Sequence, residues 1–115
     1  MNLGLFGLEG EERAAKYLKK QGYNITCKNF QSRFGEIDLI ACDKKYLAFV
    51  EVKLRKSDKF AEAKEFVDIR KQNRLKTTAA IYLDQNPSHL QPRFDVIEIY
   101  APEGVQTSKP VIHYI

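Results

Sequence analysis

Cysteine is scarce in this chain, with Cys27 and Cys42 the only two among 115 residues. Each lies in a strand-forming segment, and they lack the paired spacing of a zinc site, so reduced, buried thiols are expected. No apolar stretch approaches the length needed to cross a bilayer, which excludes a helical membrane span. The opening Met1–Gly7 is apolar but short, has no basic start and runs straight into a charged helical pattern. It does not read as a signal peptide, and a cytoplasmic location is the expectation. Internal repeats, low-complexity tracts and interdomain linkers are also missing. A chain of this size is expected to form one domain over 1–115, with any active site built on a single sheet and its flanking helices.

What is present is ordinary for a globular protein, with 43% hydrophobic and 30% charged residues. The net charge of +4 favours a polyanionic partner but is common in proteins that never meet nucleic acid. Its distribution says more. Lys16, Lys19 and Lys20 crowd one segment, while Lys53, Arg55, Lys56, Arg70, Lys71, Arg74 and Lys76 follow a set of carboxylates. Basic groups thus surround an acidic centre.

Residues 8–21 are predicted as a helix, because Leu8, Glu11, Ala14, Ala15 and Leu18 recur at three- and four-residue steps and Gly22 can stop it. Weak alternation over Tyr23–Phe30, the segment Glu36–Ala41 and the strongly strand-forming Tyr46–Leu54 predict three strands in a meander, with Asp43-Lys44-Lys45 as a turn. A second helix is expected over roughly 65–84 from Phe66, Ile69, Leu75, Ala79, Tyr82 and Leu83, ended by Asn86-Pro87-Ser88. Arg93–Tyr100 alternates as a further strand, and Val111–Ile115 suits a short edge strand. A right-handed strand–helix–strand crossover after residue 54 would make one strand pair parallel. The expected fold class is α/β (α+β), a mixed sheet flanked by helices in the order α-β-β-β-α-β-β.

Chemistry concentrates on three residues. Side chains alternate along a strand, so Glu51, Lys53 and Arg55 share one face, and the preceding Leu47-Ala48-Phe49-Val50 is apolar on both faces, as in a central strand. If this strand pairs with its predecessor across residues 43–46, Asp38 falls opposite Glu51, with Cβ atoms about 5 Å apart. Two such carboxylates repel unless a proton or cation lies between them. A divalent ion of the Mg²⁺ or Mn²⁺ type fits, since it binds through one or two carboxylates and keeps sites for water and phosphate. Lys53 could then orient or deprotonate an attacking water and offset charge on the transition state, in phosphodiester hydrolysis. The alternative on spacing alone is a cross-strand salt bridge on a sheet surface.

Helical geometry separates two further carboxylates. Glu11 falls on the apolar face with Ala14, Ala15 and Leu18, whereas Glu12 aligns with Lys16 and Lys19 toward solvent. A carboxylate on the packing face needs a partner, which a metal held by Asp38 and Glu51 would supply. A first-turn carboxylate favoured by the helix dipole is the other reading.

Taken together, the blocks Gly10–Leu18, Gly22-Tyr23, Asn29-Phe30, Gly35–Ile40, Phe49–Arg55, Lys71-Gln72 and Arg93–Ile97 resemble the YraN-like family of small bacterial proteins. That family is commonly named for an inferred endonuclease activity and is similar to archaeal Holliday-junction resolvases of the PD-(D/E)XK superfamily. The resemblance spans nearly the whole chain. It implies a restriction-endonuclease-like fold, a metal site on Asp38 and Glu51, a catalytic role for Lys53 and a third acidic contribution from Glu11. Glu36, in the same block as Asp38 and on one strand face with it by period-two alternation, would support the metal or its surroundings. Arg55, Arg70, Lys71, Gln72 and Arg74 are candidates for holding a DNA backbone, against the alternative of a solvated helix face. Arg93 and Asp95 are expected to pair structurally. A homodimer is implied by resolvase chemistry on two opposed strands.

Two functional classes therefore stand. One is a Mg²⁺-dependent deoxyribonuclease, acting on branched or otherwise structured DNA. The other is a nucleic-acid- or partner-binding module that keeps the fold without turnover. An RNA-directed enzyme is a third reading, although no stacking motif of the single-strand-binding kind occurs among the tyrosines.

Overall fold

A computed structural model describes residues 4–55, 69–100 and 111–114, with side chains described except at 4–9, 54–55, 100 and 111–114. The elements are α1 (Gly4–Lys20), β1 (Asn24–Ser32), β2 (Gly35–Cys42), β3 (Tyr46–Arg55), α2 (Ile69–Gln85), β4 (Gln91–Tyr100) and β5 (Val111–Tyr114). This is the expected order. The first helix starts at Gly4 rather than at residue 8, through two glycines whose weak helical propensity hid it from the sequence pattern.

α1 ends as Gly22 predicts. The Tyr23 N–H donates to the Leu18 carbonyl and the Gly22 N–H to that of Lys19, a Schellman closure that requires the left-handed φ of 95° at Gly22. Tyr23 then packs against the same cluster as Leu18. At the β2–β3 turn, one carboxylate oxygen of Asp43 accepts from the N–H groups of Lys45 and Tyr46. Those hydrogen bonds hold the Asp43 carboxyl below its ordinary range.

The strands lie in the order β1-β2-β3-β4-β5. All neighbours are antiparallel except β3 and β4, which run parallel from Tyr46↔Gln91 to Arg55↔Tyr100. The crossover containing α2 thus returns the chain beside β3, and the sheet is mixed as expected. β3 is central: Leu47 and Phe49 join Tyr82 and Ala79 of α2 on one face, while Ala48 and Val50 join Ala14, Ala15 and Leu18 of α1 on the other. Burial on both faces explains its unbroken apolar run.

α2 departs from expectation at one end. Lys71, Leu75, Thr78 and Tyr82 fall at successive three- and four-residue steps and form the inward stripe, whereas Ile69 sits about 240° around from Leu75. Ile69 is accordingly 69% exposed rather than part of the core, and Phe66 lies outside the described residues. The cysteines are free as expected, but half-buried rather than fully enclosed. No helix among the described residues is long and apolar enough to cross a membrane.

Candidate active site

The β2–β3 ladder runs from Cys42↔Leu47 to Leu39↔Val50 and ends there. Its next rung would set Asp38 opposite Glu51, as the sequence predicts, but the strands part instead. The Val52 N–H donates to Asp38 Oδ2 at 2.7 Å, so a side chain takes the place of a ladder carbonyl. The disturbance crosses β2 to its other neighbour. β1 pairs Lys28↔Leu39 and Phe30↔Ile37. Between them Asn29 adopts a φ of 54°, a left-handed conformation that asparagine tolerates better than most residues. Ile37 belongs to the α2-side core and Leu39 to the α1-side core, although residues two apart in a regular strand share a face. Strand alternation therefore breaks at Asp38, and the placing of Glu36 and Asp38 on one face by simple alternation loses its basis.

Four carboxylates surround this break. Burial, the dominant effect, together with the charges of Glu11, Glu51 and Glu36 pushes Asp38 up to about 6, against the opposing Val52 hydrogen bond. Glu11 is 7% exposed on the packing face of α1, and Glu12 is exposed, as the helical pattern predicts. Burial also raises Glu11. The amide of Asn29, 2.9 Å away, counters that rise by donating to Glu11 Oε1. The partner that Glu11 needs is thus this amide from the left-handed Asn29, a residue to which the sequence assigned no separate role. Its signal was faint: a residue type that tolerates positive φ, set within a strand pattern.

Glu51 carries the unusual balance. Both lysines meet one of its oxygens, Oε1, with Lys53 Nζ at 3.3 Å and Lys71 Nζ at 2.6 Å. The other oxygen, Oε2, is buried with no hydrogen-bond partner among the described residues. Lys53 is shifted down, chiefly by burial and further by Lys71, while Glu51 opposes the shift. Lys71 is therefore an internal partner of Glu51 and not simply part of a solvated helix face. It reaches there because it starts the inward stripe of α2.

Two cavities meet at Glu51. One of about 390 Å³ is mainly apolar and lies between α2 and the sheet, lined by Ile37, Phe49, Leu75, Phe94 and Gln72. The second, about 530 Å³, is more polar and includes Arg33, Phe34, Glu36, Lys71 and Arg74. Gln72 and Arg74 thus border the centre, Arg70 is exposed, and the Arg55 side chain lies outside the described residues. Glu98 is fully buried and sits beside Lys53 in the parallel register, a position that sequence reading missed. Its signal was a carboxylate inside the apolar run Val96-Ile97-Glu98-Ile99.

Arg93 and Asp95 take the structural role expected of them. Two guanidinium nitrogens of Arg93 bind the Asp95 carboxylate at 2.8–3.1 Å, and Nη2 also donates to the Tyr23 hydroxyl. The guanidinium lies 4.7 Å from the centre of the Tyr46 ring. Burial pushes the Asp95 carboxyl up despite its ion pair.

Among the described residues no group of three or more His, Cys, Asp or Glu side chains is gathered to hold a metal. Glu11, turned to Asn29, does not complete such a set with Asp38 and Glu51. What the site does offer is a buried carboxylate oxygen without a partner among the described residues, beside a second carboxyl raised by burial and like charge. That donor set fits a hard cation bound through one or two carboxylates, with water or phosphate supplying the remaining ligands.

A family model described as "Uncharacterised protein family UPF0102" matches residues 10–99. The chain is 43% identical to the UPF0102 protein of Caldanaerobacter subterraneus subsp. tengcongensis, covering 100% of this chain and 95% of that one. It is 41% identical to the UPF0102 protein of Syntrophomonas wolfei over 93% and 94% of the two chains. With the protein of Francisella tularensis the figures are 45% identity over 81% and 82%.

Proposed function

The chain belongs to the UPF0102, or YraN-like, family, and from that premise we propose that it is a metal-dependent nuclease hydrolysing DNA phosphodiester bonds in the cytoplasm. The observation that carries this reading is the buried Oε2 of Glu51, without a hydrogen-bond partner among the described residues, beside the raised carboxyl of Asp38. Burying several anionic oxygens together is costly, and a bound cation lowers that cost. Asp38 and Glu51 would hold Mg²⁺, with Mn²⁺ as a substitute. The ion, when bound, supplies Lewis-acid polarisation of a phosphate oxygen and lowers the pKa of bound water.

The remaining work falls to the protein's own groups. Lys53, which meets Glu51 Oε1 at 3.3 Å, would orient the attacking water or take its proton, and its ammonium would offset charge growing on the phosphate. Lys71, which meets Glu51 Oε1 at 2.6 Å, would lie close enough to contact a phosphate at this centre. Arg74 and Arg70 hold the flanking backbone, with Arg55 and Gln72 as further contacts. Glu11, fixed by Asn29, contributes field at Asp38 rather than a direct ligand. Branched or otherwise structured DNA is the proposed substrate, cut by a homodimer that presents two such centres.

One observation favours a second reading. Lys53 and Lys71 already neutralise Glu51 from within, as they would in a module that binds nucleic acid without cutting it. Wild type and Glu51→Ala, incubated with linear duplex, single-stranded, flap and four-way-junction DNA in Mg²⁺, Mn²⁺ or EDTA, separate the two. Metal-dependent cutting that disappears in the variant is expected. Binding by both proteins without cutting by either would establish the non-catalytic module.

A further inference from the structure

The β1–β2 hairpin turns through only Arg33 and Phe34, since Ser32 and Gly35 already pair. Its tip carries an aromatic ring that the core does not use: Phe34 is 43% exposed, one of two large hydrophobic side chains so exposed among the described residues. The Arg33 guanidinium lies 5.1 Å from the ring centre.

The tip is braced rather than loose. Ser32 Oγ lies 3.0 Å from Thr78 Oγ1 of α2, and it accepts from the Phe34 N–H at 3.1 Å. Thr78 is fully buried. Gly35 has a φ of 153°, and a Cβ there would stand 3.6 Å from the Thr78 hydroxyl and 3.8 Å from Arg74 Cβ. The hairpin therefore rests closely on the helix that delivers Lys71 to Glu51. Arg33, Phe34, Lys71 and Arg74 line one cavity with the carboxylates Glu36 and Glu51.

An exposed aromatic ring on a rigid turn, among cations and beside a candidate centre for phosphodiester cleavage, has the parts of a stacking platform within an electrostatic funnel. A base inside a continuous duplex hides both faces against its neighbours, so a ring at a hairpin tip stacks without an unstacking cost of a few kcal/mol only on a base already out of the helix. Resting on the nuclease reading above, we propose that Phe34 stacks on an unpaired DNA base next to the phosphate on which the Asp38–Glu51 centre would act, with Arg33 and Arg74 on the adjoining phosphates. Phe34 is thus the residue that selects forks, flaps and junctions over paired duplex.

The chain contains no tryptophan, so Phe34→Trp introduces a single indole that reports its own stacking. With EDTA present to prevent cutting, fluorescence of that variant and anisotropy of labelled DNA are followed in one titration, using a forked duplex and a blunt duplex of equal length. Expected are strong quenching by the fork, little by the blunt duplex, and a roughly tenfold fall in the fork-to-blunt affinity ratio for Phe34→Ala, with Phe34→Trp retaining the wild-type ratio. Anisotropy that reports fork binding while the indole stays unquenched, or an unchanged ratio in Phe34→Ala, overturns the stacking role and leaves the nuclease reading intact. If no DNA of either shape binds at micromolar protein, either in EDTA or with Ca²⁺ in its place, the nuclease reading itself fails and the role of Phe34 falls with it.

Discussion

Replacing Asp38 by asparagine should make the metal-free protein more stable, not less. A carboxyl whose pKa rises on folding holds its proton more tightly in the folded chain, so its ionisation costs stability. The cost is absent below about pH 4, grows as pH rises through the folded value and is complete above about pH 7. For Asp38 the rise from 3.8 to about 6 corresponds to about 3 kcal/mol at roughly 1.4 kcal/mol per unit. Asparagine keeps an oxygen for the Val52 N–H, bonded at 2.7 Å in the wild type. It also carries no charge to oppose Glu11, Glu51 and Glu36. Urea unfolding followed by circular dichroism in EDTA should therefore show Asp38→Asn ahead of wild type by roughly 2–3 kcal/mol at pH 7.5, a midpoint rise of about 1–2 M at constant slope. At pH 4 the two proteins should nearly coincide. Taking the difference between them cancels the titration of Asp95, which is not among the charges acting on Asp38. Adding millimolar Mg²⁺ or Mn²⁺ should then raise the wild-type midpoint and leave the variant where it was, since a ligand stabilises only the state that binds it. A variant less stable than wild type at pH 7.5, or a difference that stays flat from pH 4 to 8, would refute the electrostatic account of this site.

Three other outcomes follow from the same geometry. Lys71→Met removes the closer of the two ammonium groups at Glu51 Oε1 and should cost about 1–3 kcal/mol in urea unfolding, with lost DNA affinity in the same preparation. Asn29→Ala loses both the Glu11 partner and a residue tolerant of a φ of 54°, and should lower stability by about 2–3 kcal/mol. Asn29→Gly, which keeps the backbone free, should recover part of that loss, and equal destabilisation by both would show that backbone strain is irrelevant there. Phe49→Ala empties a position that is 2% exposed and packs against the rings of Tyr82 and Phe94. It should cost about 3–5 kcal/mol in the same unfolding assay, and a loss below about 1 kcal/mol would contradict its place in the core.

The element order was legible because its signals are local or strictly periodic. Leu47-Ala48-Phe49-Val50 marks a doubly covered strand, Asp43 closes its own turn, Gly22 supplies the positive φ that ends α1, and Glu11 separates from Glu12 by helical angle alone. The centre was legible as a list of residues and less so as an arrangement. Alternation presumes an even pleat, and the pleat fails at Asp38, where a carboxylate substitutes for a ladder carbonyl. The pairing of Glu11 with Asn29, and of Lys71 with Glu51, joins residues far apart in sequence, and neither pair leaves a spacing by which to find it. Ile69 shows the converse error: an apolar residue near helical spacing was assigned to a stripe whose true phase is set by where α2 lies on the sheet.

The parallel pairing of β3 with β4 bears on the order in which the protein is assembled. Tyr46 meets Gln91 and Arg55 meets Tyr100, so the second edge of β3 is covered only by residues that leave the ribosome well after its own. Closing so large a loop is slow compared with forming the β1–β2–β3 meander, whose partners are near neighbours in the chain. A nascent chain therefore holds Asp38, Glu51 and Lys53 on strands already made, while one flank of their central strand still offers open backbone hydrogen-bonding groups and Phe49 is not yet covered by α2. Such an edge is a template for pairing with another chain. The same late strand that completes the candidate centre also ends the period in which the protein is most prone to aggregate during its own synthesis.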